Sequence, residues 1–218
     1  LALPAAADSQ KPLSAEDMDR RLAFIEERLN AGRSSARLWQ HGWSGFFAAN
    51  TALHGYLAIR SDNADNEAAY TVGALKSAAG LAMMLLRPLP AVKGADPLQA
   101  MPAGTPEQKA ARLQAAEKLL RANADRAEER TSWVRSLAAI AVHLVGSTAI
   151  AAIGDVRDAV ESNMTGIAIS AAHIWSQPYR AIDDLKAYET RFPVAPSSAS
   201  PSWQLNAIPG GLCVTIRF

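Results

Sequence analysis

Gly73-Ala74-Leu75-Lys76-Ser77-Ala78-Ala79-Gly80-Leu81 and Gly166-Ile167-Ala168-Ile169-Ser170-Ala171-Ala172-His173-Ile174 read as one pattern written twice. Both open on Gly, carry Ser four residues later, and fill most other places with Ala or a large aliphatic residue. At that spacing Gly and Ser share a helix face, and small residues there let a neighbouring helix come close. Upstream, each pattern is preceded by a Trp, a long Ala-rich apolar segment and a short acidic turn. Downstream, each ends at a Pro with an Arg close by. The first copy runs from about Trp43 to Pro88 and the second from about Trp133 to Pro178. The expected fold is therefore all-α: two related helical hairpins, at about 34–93 and 105–192, built from four long Ala-rich helices.

The punctuation around these arms sets the other elements. Residues 1–13 read as a flexible start. Ser14 is a suitable N-cap, with Glu16 and Asp17 in the first turn, and Met18, Leu22, Ile25 and Leu29 fall on one face of a short amphipathic helix. Ala31-Gly32 is expected to end it. A second helix runs from Ser34 or Ser35 to Arg60, the Ser61–Asn66 cluster turns the chain, and a third helix stops at Pro88 and Pro90. Residues 88–104 read as a connection. Thr105-Pro106-Glu107-Gln108 spells a helix start with a capping box. No Gly or Pro intervenes until Gly146, so one rod through Ile153 is expected, charged in its first half and apolar from Trp133 on. Gly154-Asp155 turns the chain again, and a last arm runs to Pro178 or continues as a kinked stretch to Phe192. The helical domain thus covers 14–192. Residues 193–218 read as a linker and a β tail, in which Leu212, Val214, Ile216 and Phe218 alternate with Cys213, Thr215 and Arg217. This tail resembles the last strand of outer-membrane barrel proteins over about seven residues, and no other run supplies a barrel.

Composition narrows the functional classes. Net charge is +1, which excludes bulk nucleic-acid binding as the organising property. A single cysteine, Cys213, rules out an internal disulfide. The opening Leu1-Ala2-Leu3-Pro4-Ala5-Ala6-Ala7-Asp8 has the character of a signal-peptide remnant, which predicts export to the periplasmic side of a bacterial-type cell envelope. Segments near 42–59, 68–86, 134–153 and 163–177 approach the roughly 20 apolar residues a membrane span needs. Trp43, Trp133 and Trp175 stand where aromatic residues mark a membrane interface. Asn50, His54, Lys76, His143 and His173 are costly in lipid unless they turn inward. Arg and Lys gather at the end that carries both termini, and Asp and Glu at the opposite turns. A soluble bundle with an Ala-rich core is the competing expectation.

Motifs of catalysis are few. Gly42-Trp43-Ser44-Gly45 lacks the second Gly of a nucleophile elbow at the right place and falls where a helix is expected. Gly210-Gly211 precedes a strand, not the helix a phosphate loop requires. Asp62, Asp65 and Glu67 miss the calcium-loop spacing. The expected role is non-enzymatic: a membrane-associated helical scaffold or complex subunit that binds lipid or a hydrophobic partner, without cofactor. Lys76 is a candidate anion contact. The alternative is a haem- or metal-binding bundle using His54, His143 and His173. A third reading adds the tail, through Leu212, Val214, Ile216 and Phe218, to the sheet edge of a partner.

Overall fold

The computed structural model describes residues 13–193, without the side chains at 134–136, and the backbone of 202–208 and 211–217. From 13 to 193 the fold is all-α. Helix α1 spans Ala15–Arg60, α2 Ala64–Leu86, α3 Asp96–Gln99, α4 Pro106–Thr131, α5 Trp133–Ile153, α6 Val156–Trp175 and α7 Arg180–Arg191, with a 3-10 turn at Pro90–Lys93. Strands β1 (Ser202–Ile208) and β2 (Gly211–Arg217) pair antiparallel, with Leu205 opposite Val214 and Trp203 opposite Ile216. The N-terminal segment to residue 12, Phe218, and the side chains of Leu212, Val214 and Ile216 lie outside the described residues.

Two expectations need correction. The amphipathic N-terminal helix is not separate: α1 runs for 46 residues, straight through Gly32. A Cβ at Gly32 would meet nothing within 4 Å, so no contact forces a turn there. One glycine in a helix costs only about 1 kcal/mol, which the helix on either side outweighs. Second, the long rod is broken. Ser132 is extended (φ −61°, ψ 143°), caps α4, and bonds the Glu129 carbonyl through both its N–H and its hydroxyl. The break falls where charged sequence gives way to apolar sequence. Of the two alternatives for the last arm, the structure shows the one that stops near Pro178: α6 ends at Trp175, Ser176 caps it, and α7 starts afresh. The sequence-level caps at Ser14 and Thr105 are present, the latter with both bonds of its capping box.

Two regions share α1. Its N-terminal half packs with α3, α4 and α7 around Ile25, Leu98, Leu120 and Tyr188, each 2% exposed or less. The Tyr188 hydroxyl accepts from Arg21 and donates to Glu117. Burial, and then this bond to a carboxylate, push the phenol up to about 12, with Arg21 acting the other way. The native state therefore holds a proton that the unfolded chain releases near 10. Stability should be independent of this group below about 10 and should fall as pH rises from about 10 toward 12. Thermal melts of Tyr188→Phe across that window should decline less steeply than those of the parent chain.

The C-terminal half of α1 lies along α2, and α5 along α6, with α2 touching both α5 and α6. The end of α2 shows how the two regions are fastened. Pro88 has no N–H to give the Met84 carbonyl, which would be left unmet. Buried Gln40 donates to that carbonyl at 2.6 Å and accepts from the Leu89 N–H at 3.1 Å. The Arg87 carbonyl takes bonds from Arg126 and Arg130 of α4. Gln40→Leu leaves one buried acceptor and one buried donor without partners, and should cost about 1–3 kcal/mol for each, read as a lowered denaturation midpoint.

Candidate functional site

The four helix segments Leu38–Ile59, α2, α5 and α6 enclose a partly open cavity of about 800 Å³. Its polar wall is assembled from all four. Asn50 and His54 come from α1, Lys76 and Ser77 from α2, His143 from α5, and Ser162, Ser170 and His173 from α6. Phe46, Phe47, Met83, Met84, Val142 and Ile169 supply apolar surface.

Glycines seat the larger side chains. A Cβ on Gly73 would lie 1.9 Å from His54 Nδ1, and one on Gly166 would lie 2.2 Å from His143 Nδ1. Each imidazole therefore occupies the space that a Cβ would fill on the facing helix. The Ser one turn further on is engaged in both cases: Ser77 accepts from Asn50 at 3.0 Å, and Ser170 pairs with His143 Nε2 at 2.8 Å. Gly146 on α5 receives the Lys76 stem, whose Cδ would lie 3.1 Å from a Cβ there. From that seat Lys76 crosses to α6 and donates to Ser162 at 2.8 Å. Gly80 makes room for Phe47 in the same way. The small residues thus admit inward-pointing side chains rather than bare backbone. At the turn end the close approach is to backbone: a Cβ on Gly154 would meet Asp65 Cα at 3.0 Å.

One end of the cavity is closed by aromatic packing. His173 stacks on Trp39 (centroids 4.7 Å apart) and meets Trp43 and Phe47 edge-on. Both indole N–H groups donate to Ser176, at 3.1 and 3.0 Å. Arg130 lies over Trp39. Trp43, expected at a membrane interface, is therefore partly buried in this cluster, whereas Trp133 and Trp175 are 59% and 79% exposed. The basic end is also largely committed internally: Arg33 binds Asp96, Arg87 binds Glu129, and Arg180 binds Asp184.

The cavity wall and the outer surface have opposite character. Residues 38–59, 68–75, 77–86, 136–153 and 162–175 contain no Asp, Glu, Lys or Arg. Apart from exposed His41 near one end, their large exposed side chains are mainly apolar, among them Ile59, Leu75, Leu86, Val145, Met164 and Trp175. Buried or half-buried Lys76, Ser77, His143, Ser147 and Ser170 point the other way. By length and composition α2 can cross a membrane, and Leu137–Ile153 forms a shorter apolar helix.

Sequence types alone singled out His54, His143, His173 and Lys76, and all four line this one cavity. The glycine seats, Ser162, and the Trp39–Phe47 cluster over His173 were missed, because each depends on which helices face one another. The Gly–Ser spacing repeated in α2 and α6 was the available signal. His143 bonds Ser170, His173 stacks on Trp39, and His54 meets Tyr70 edge-on. Among the described residues no group of three His, Cys, Asp or Glu side chains is placed to hold a metal ion. No protein-family model matches the chain, and neither the curated proteins nor the solved structures compared with it gave a match.

Proposed function

We propose that this protein is a lipid-embedded helical bundle that holds a hydrophobic or amphipathic ligand, with a binding or scaffolding role rather than a catalytic one. The carrying observation is the polarity of its four inner helices, which are apolar outward and polar toward the cavity. On a soluble monomer, contiguous exposed apolar surface of this kind marks a site for a partner or a membrane. In a bilayer it is the expected arrangement, since polar side chains there face the bundle interior. The apolar stretches 68–86, 136–153 and 162–175 have 19, 18 and 14 residues, hence about 28, 27 and 21 Å, of which the first two approach the hydrocarbon thickness of roughly 30 Å. We read 43–88 and 133–178 as related hairpins whose matching glycines seat the two imidazoles, while the matching serines bond Asn50 in one and His143 in the other. The helices outside the bilayer form a hydrated base with an ordinary aqueous core.

The test is extraction. After an alkaline carbonate wash the full chain should stay in the membrane pellet and should need detergent for release. Quantitative recovery as a monodisperse monomer without detergent would sink the reading. The haem alternative rests on the same three histidines, and a Soret band in the purified protein would restore it.

A further inference from the structure

The bundle carries one charge inside its apolar zone, and its surroundings point to a ligand. Lys76 is the single Asp, Glu, Lys or Arg between Ala68 and Leu86. Its stem rests on Gly146, which places the ammonium at the α2–α5–α6 junction on the cavity wall. Its one hydrogen bond goes to a neutral hydroxyl, Ser162, and among the described residues it has no ion pair. The carboxylates at the same cavity do not neutralise it: Glu161 pairs with Arg157 at 3.1 Å, and Asp158 lies outside ion-pair distance of Lys76. A half-buried cation with no counter-ion is costly unless water or an anion completes it. The ammonium retains donor capacity beyond the Ser162 bond.

The rest of the wall indicates the shape of that anion. Phe46, Phe47, Met83 and Val142 supply apolar surface to the chamber, and about 800 Å³ falls in the range of small-molecule sites. One cation without a partner suits one negative charge. Arg130, the other cation on the wall, already donates to the Arg87 carbonyl and lies on the face of Trp39. We infer that the cavity binds a single-chain amphiphile with a monoanionic carboxylate head, the carboxylate on Lys76 Nζ beside Ser162 and the hydrocarbon chain against Phe46, Phe47, Met83 and Val142. This rests on the lipid-embedded reading above and specifies the ligand class.

The probe is palmitate bearing a diazirine on its chain, added to the full chain in nanodiscs of neutral phosphatidylcholine at a pH that ionises the carboxylate. After irradiation, peptide mass spectrometry should find saturable labelling of cavity residues such as Phe47 and Val142. Unlabelled palmitate should compete roughly tenfold or more better than hexadecanol at equal mole fraction, the gain expected for one charge-assisted contact. Lys76→Met should lower cavity labelling by a similar factor, and Lys76→Arg should keep most of it. The palmitate–hexadecanol comparison needs no variant, so it stands even if Lys76→Met fails to fold. Equal competition by the acid and the alcohol would overturn the inference. So would labelling confined to outward positions such as Leu75 and Val160, a result that leaves the lipid-embedded reading intact. Loss of the protein from nanodiscs into the soluble fraction would instead remove both.

Discussion

Gly73→Ala and Gly166→Ala should each destabilise the bundle by about 1–3 kcal/mol or more, although each adds only a methyl group. The new Cβ would lie 1.9 Å or 2.2 Å from an imidazole Nδ1, and even the ring Cγ stands at 3.1 or 3.0 Å. A tilt cannot relieve such a contact, so the whole ring must leave its seat. At Gly166 the displaced His143 also gives up its bond to Ser170. The same substitution at Gly55 is the control, since a Cβ there meets nothing within 4 Å. Helix propensity then favours Ala by up to about 1 kcal/mol. The two effects have opposite signs, and thermal unfolding of the detergent-solubilised full chain separates them. Combining Gly73→Ala with His54→Ala should recover much of the loss, because the clash needs both partners.

The second large effect lies in the base. Leu120 is 1% exposed and packs with Ile25, Leu113 and Tyr188. Leu120→Ala should cost about 2–5 kcal/mol through lost burial and a residual cavity. Leu75→Ala, on the outer face of α2 where Leu75 is 65% exposed, should change stability by no more than about 0.5 kcal/mol, since it removes little intramolecular packing. Denaturation midpoints of the two variants would show this contrast. The two leucines differ because one faces protein and the other faces outward.

The parts of the fold legible in the sequence are those governed by local chemistry. Ser14 and the Thr105–Gln108 box gave helix starts, Pro88 gave a stop, and Asn63 and Asp155 cap α2 and α6 as turn residues should. The misreadings came from weighting local signals against tertiary ones. Gly32 is a poor helix residue, but no contact there favours a turn. Thr131-Ser132 carries no strong breaker, yet the chain breaks there at the boundary between a hydrated helix and an apolar one. In the connection at 88–104, the turn at Pro90–Lys93 and the short α3 are held by distant groups, such as Asn30 on the Ala95 N–H and Arg33 on Asp96.

The candidate site was half legible for the same reason. Residue type marked His54, His143, His173 and Lys76, because polar groups in apolar helices need a reason. Their seats could not be read, since Lys76 finds Ser162 86 positions away and Trp39 finds Ser176 137 positions away. The repeated Gly-x-x-x-Ser spacing held the key to two of the seats, but it indicated only that something would come close, not that it would be an imidazole.

The account depends on lipid covering the outer faces of α2, α5 and α6. Spin labels on single cysteines at Leu75, Val145 and Val160, in a Cys213→Ser background reconstituted in vesicles, test it most directly. The account predicts relaxation by dissolved oxygen and protection from a water-soluble nickel chelate at all three positions, with a label at exposed Lys118 of α4 showing the reverse. Nickel accessibility at Leu75, Val145 and Val160 equal to that at Lys118 would contradict it.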